Sequence, residues 1–218
     1  MLEGRLDGHG VAIVSIDGAD SAQAKAVAAS VRKAGAHIAS QTNWTAKLID
    51  PANRQFVEGV ARQAGSKVEG VAKSDSSYGR IGAVLARILL GAHDSDAATI
   101  WSAFAEGGLV SGSQPRASAD AIVVLTGNSR SVSESKVIAE LTRALDHADK
   151  GTVLAGPAAA SLSGGPIAEL RDSNASVSTV DVTNSAAGSV VVAMALQRDV
   201  QGKPGAWGTP RSADGPLP

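Results

Sequence analysis

Residues 151–209 read GTVLAGPAAASLSGGPIAELRDSNASVSTVDVTNSAAGSVVVAMALQRDVQGKPGAWGT. Two short strand candidates, TVLA at 152–155 and VSTVDV at 177–182, are each followed by a polar or Gly-containing loop and then by helical spacing. A short continuous apolar run feeding a helix is the pattern of a strand buried on both faces, as in a parallel sheet. The loop around Gly164, Gly165 and Pro166 opens a short helix, and 186–200 reads as a longer apolar one.

The same alternation extends toward the amino terminus. AIVVL at 121–125 predicts a buried strand leading through Thr126, Gly127 and Asn128 into a helix over 133–148, where Ser131 and Glu134 have capping-box spacing. VAIVSI at 11–16 predicts the first strand, and Asp20 is the expected N-cap of a helix over 21–34 with Ala24, Val27, Ala28 and Val31 on one face. A second strand is expected over 37–42, then a helix started by Asp50-Pro51 and closed by Gly65. Residues 66–77 are polar, a linker or a short helix; helices follow at 79–90 and 97–106, and a brief strand at 109–113.

These elements predict one α/β domain over 5–201, a mostly parallel sheet covered by helices on both faces, flavodoxin-like or Rossmann-like. A helical insertion is expected at about 66–108. The final segment, 202–218, holds four Pro and four Gly and is expected to be an extended or disordered tail.

Composition narrows the function classes. Aromatic residues make up 3% of the chain and hydrophobic residues 44%, so the core is built from Ala, Val, Leu and Ile. With 20 basic and 21 acidic residues spread along the chain, no electrostatic footprint for nucleic acid exists. The absence of Cys excludes disulfides, zinc-thiolate centres and a thiol nucleophile. No apolar run reaches the roughly 20 residues of a spanning helix, so a soluble chain is expected.

In such sheets ligands bind beyond the carboxyl ends of the strands. The default cleft therefore comprises Asp17, Asp20, Thr126, Gly127, Asn128 and Ser129, together with the loop over 156–165. Its motifs exclude familiar chemistry. The turn after the first strand lacks GxGxxG, Thr126-Gly127-Asn128-Ser129 lacks the lysine of a P-loop, and SLSGG has Ser161 where a nucleophile elbow needs Gly. Backbone amides at the helix start after Thr126 remain a candidate anion site.

His93-Asp94-Ser95-Asp96 is the densest imidazole–carboxylate cluster, with one nitrogen and two carboxylates to offer a metal. Asp96 has a competing role as the N-cap of the helix that follows. Soft Cu(I) wants sulfur, and the chain offers only Met1 and Met194, the latter inside the apolar run VVVAMAL. No copper site is legible in these residues.

The order and spacing of GTVLAG, VSTVD, ALQ and the final GxWGT resemble the MctB family of mycobacterial-type copper transport proteins; VAIVSI with its helix, and AIVVL before Thr126-Gly127, fit as well. The likeness covers most of residues 5–209. It implies a non-enzymatic cell-envelope domain, associated with the outer membrane and with copper homeostasis, in a family whose members carry an N-terminal anchoring helix and a coiled coil. On that resemblance the chain is expected to be the soluble domain alone, a homo-oligomer attached to the membrane through a segment not in this sequence. Copper is the implied cargo, and no ligand set is implied residue by residue. The alternative is an envelope scaffold or small-molecule-binding module without direct copper handling.

Overall fold

The computed structural model describes residues 2–66, 74, 76–91, 94–128, 130–148, 150–173, 175–210 and 212–218. Seven strands of the described residues form one sheet: β1 (Gly10–Ile16), β2 (His37–Trp44), β3 (Val110–Gly112), β4 (Ala121–Leu125), β5 (Thr152–Ala155), β6 (Ser178–Val180) and β7 (Ala206–Trp207). Their order is β3-β2-β1-β4-β5-β6-β7, and only the β2–β3 pairing is antiparallel. Without β3, the parallel strands follow the flavodoxin-type order, whose switch point lies between β1 and β4. The expected α/β class and mostly parallel sheet are what the chain adopts.

Among the described residues eight α-helices pack around the sheet: α1 (Ser21–Lys33), α2 (Ala46–Ile49), α3 (Arg54–Gly65), α4 (Ser77–Leu90), α5 (Ser95–Glu106), α6 (Val132–Asp146), α7 (Pro166–Asp172) and α8 (Gly188–Val200). The local signals explain their starts. Asp20 accepts from the Ala22 amide at 2.7 Å, Asp50 caps the 3-10 turn that leads into α3, and Ser131 and Glu134 close a full capping box. One cap differs from expectation: Asp94, not Asp96, accepts from the Ala97 amide, and Asp96 lies in the first turn of α5. Either carboxylate suits the positive end of the helix, but only Asp94 stands before the first turn with extended backbone.

The two faces are built differently. One buries Trp44, Leu48, Ile49, Ile81, Leu85, Leu89, Ile100 and Phe104 under α2 to α7. The other buries Val and Ala from α1 and α8, including Val27, Ala28, Val31, Val191, Val192 and Ala195, against β1, β4, β5 and β6. Small side chains let these two helices lie close to the strands. Met194 packs at the margin of this core.

The segment after Gly202 departs from the expected tail. Its residues 206–207 add β7 to the sheet, and Trp207 is buried with Arg198 over its ring at 5.1 Å. The connection that reaches β7 also has unusual handedness. From β4 to β5 to β6 the linking helices α6 and α7 lie on the first face, whereas β6 to β7 continues in the same direction through α8 on the second. Its hand is therefore opposite to theirs, against a strong general preference for one hand. The reason is cover: α8 places Val191, Val192, Ala195 and Leu196 over the centre of the second face, and the short ladder that joins β7 to β6 is reinforced by side chains, Arg171 reaching the Trp207 carbonyl and Asp181 the Thr209 amide.

Candidate functional site

Of the predicted cleft residues, Asp17, Thr126 and Gly127 come together at the carboxyl ends of β1 and β4. Asp17 follows β1 and Thr126 and Gly127 follow β4, while Asp20 is used as the α1 cap and Asn128 is exposed; Ser129 lies outside the described residues. Among the described residues the two loops meet across the crevice and close it. A Cβ on Gly127 would stand 2.1 Å from the Gly18 carbonyl oxygen, so glycine alone lets the two loops touch. Arg130 then bridges them, donating to the Asp17 carbonyl and to Asp17 Oδ2 (2.9 Å), with Glu134 Oε1 3.5 Å away. Glu134 Oε2 also accepts from the Ser131 amide at 3.2 Å and the Ser131 hydroxyl at 2.8 Å, so a carboxylate of the chain itself faces the start of α6. The Thr126 hydroxyl is buried without a partner among the described residues.

A second lock sits along the same edge of the sheet. Arg171 and Asp181 form a buried ion pair at 2.8 Å, their side chains 6% and 0% exposed. Arg171 also donates to Thr179 Oγ1 (2.9 Å), Ser212 Oγ (3.1 Å) and the Trp207 carbonyl (3.4 Å), while Asp181 Oδ1 accepts from the Thr209 amide (3.1 Å). Gly208 fits against that carboxylate because a Cβ there would meet Asp181 Oδ1 at 2.0 Å. The VSTVD and GxWGT motifs therefore touch: the first supplies Asp181, the second the backbone that it and Arg171 bind. A buried pair of this kind fixes geometry more than it adds stability.

Of the predicted metal cluster, His93 lies outside the described residues. Asp94 is occupied: beyond capping α5 it pairs with Arg87, and the Ala97 amide and Arg87 hold its carboxyl below the usual range. Asp96 lines a depression between α3 and α5. Elsewhere His9 Nδ1 lies 2.9 Å from Asp120 Oδ2 at the amino end of the sheet, and His147 is the C-cap of α6. Among the described residues no three His, Cys, Asp or Glu side chains group to hold a metal ion. No described helix is long and apolar enough to cross a membrane.

Sequence reasoning did not single out Asp199, Lys25 or Arg32. Asp199 of α8 is 5% exposed and accepts from the Ser178 amide at 2.9 Å. Burial pushes its carboxyl up to about 6, against the opposing pull of Ser178. Its only sequence signal is an acid at the end of an apolar helix. Lys25 and Arg32 make no ion pair with a described residue and border an open groove of about 550 Å³ beside α1.

No curated protein sequence matches the chain. The family model described as "Copper transport outer membrane protein, MctB" matches residues 1–218. With its whole length so matched, its motifs joined in one fold and its elements in the expected order, the chain belongs to the MctB copper transport outer membrane protein family.

Proposed function

We propose that this chain is a non-enzymatic envelope domain of a copper efflux system, acting through homo-oligomeric assembly and attached to the membrane by a segment other than the fold described above. The family match across residues 1–218 carries the reading. A closed crevice supports the non-enzymatic part: the place where an α/β enzyme holds its substrate is occupied by Arg130, Asp17 and the contact of Gly127 with Gly18. Copper is cargo in this account. Asp94, committed to Arg87 and to the α5 cap, is a poor ligand, which supports a role in assembly over capture at residues 93–96.

Disruption of the gene in its native cell is expected to raise cell-associated copper, with recovery on complementation; unchanged copper overturns the transport reading. Sedimentation equilibrium of the protein should show self-association, and a monomer at every concentration overturns the assembly part. In a copper titration, His93→Ala should leave any binding unaltered. Saturable binding lost in that variant would instead place copper handling at residues 93–96. The alternative of a small-molecule-binding module is favoured by one observation, the open groove beside α1.

A further inference from the structure

Among the described residues only α1 and α8 contribute helices to the second face, and their core lies over β1 and β4 to β7. The flank of α1 toward β2 and β3 is left open as a groove of about 550 Å³, within the range of about 300–1,000 Å³ usual for ligand sites. Its floor is set by register. Ile13 stands beside Gln41 and Ser15 beside Asn43, so side chains at i and i+2 of adjacent strands face the same way. Its wall is the stripe Ser21, Lys25 and Arg32, at i, i+4 and i+11 of α1. Ser113 closes the far side.

Three features define what fits. Among the described residues two cations and no Asp or Glu line the groove, and neither Lys25 nor Arg32 makes an ion pair with a described residue. Seven residues of helix separate these two cations by about 10 Å, and the positive end of the α1 dipole adds to the field near Ser21. β1 is paired on both sides and β2 on both sides over Thr42–Trp44, so the floor around Ser15 and Asn43 presents side chains rather than a free ladder. What it offers instead is side-chain amides from Gln41 and Asn43 and hydroxyls from Ser15, Ser21 and Ser113, which both donate and accept as sugar hydroxyls require. Among the described residues the lining holds no aromatic side chain, so charge and hydrogen bonds, not stacking, would hold the ligand.

We infer that the groove between α1 and β2 binds an acidic oligosaccharide, with Lys25 and Arg32 engaging two of its carboxylates and Gln41 and Asn43 its hydroxyls. This is independent of copper and is tested without it. Trigalacturonate is titrated calorimetrically into the full chain at low ionic strength. Saturable binding is expected, weakened at least tenfold by Lys25→Ala with Arg32→Ala and weakened again by salt, while Gln41→Ala weakens it several-fold. An unchanged melting temperature in the double variant assigns the loss to the groove. No saturable binding, binding that survives the double variant, equal binding of neutral maltotriose, or tighter binding of triglutamate would each overturn the proposal.

Discussion

Arg130 and Arg171 differ from Lys25 and Arg32 in one respect that divides the molecule. The first two are paired inside the fold, Arg130 across the β1/β4 crevice and Arg171 under the segment that carries β7. The second two border the open groove on the flank of α1 and pair with no described residue. A cation with an internal partner holds loops together, whereas one without is available to a ligand. The crevice that fold analogy favours is thus the closed place, and its neighbour one helix away is the open one.

The sharpest way to break this contrast is to remove a partner from a buried cation. Asp181→Ala leaves Arg171 charged and unpaired, and a loss of about 3–5 kcal/mol is expected in urea unfolding. Asp199 supplies the opposite case, a buried carboxylate that pairs with no described cation. Its folded-state pKa is raised, so the folded chain takes up this proton before the unfolded chain does. The contribution to stability therefore rises as pH falls from 7 through about 6 toward 4. The span is about 3 kcal/mol at most, and Asp199→Asn should flatten that part of the stability–pH profile.

Gly127→Ala tests closure of the crevice directly, because the added methyl meets the Gly18 carbonyl. A cost of about 1–3 kcal/mol is expected in thermal unfolding, and a neutral effect would mean that the loops stand apart. Asp17→Asn should cost less, about 1 kcal/mol or under, since the Asp17 side chain is 54% exposed. At the bottom of the scale, Lys25→Ala with Arg32→Ala should alter stability by no more than about 0.5 kcal/mol, as befits surface charges without partners.

The strands of the fold were legible wherever an apolar run was continuous. VAIVSI and AIVVL became β1 and β4, and the capping box at Ser131 placed the start of α6 to within a residue. β7 was not legible. Two residues in a Pro- and Gly-rich segment have no period to read, and what fixes them is distant in sequence: the ladder to β6, and Arg171, 36 residues from the Trp207 carbonyl it binds. The cleft shows the same division. Position at the strand ends follows from topology, so Asp17, Thr126 and Gly127 were found together. Closure depends on a contact between Arg130 and Asp17 across 113 residues, which no local pattern encodes. The motifs that mark the family, VSTVD and GxWGT, are the two halves of a structural latch.

The contrast between the closed crevice and the open groove can be read residue by residue in one amide NMR titration with trigalacturonate. The account predicts shifts at Ser15, Ser21, Asn43 and Ser113, with Thr126, Gly127 and Asn128 unmoved. Shifts confined to Thr126, Gly127 and Asn128, with the groove silent, would contradict it.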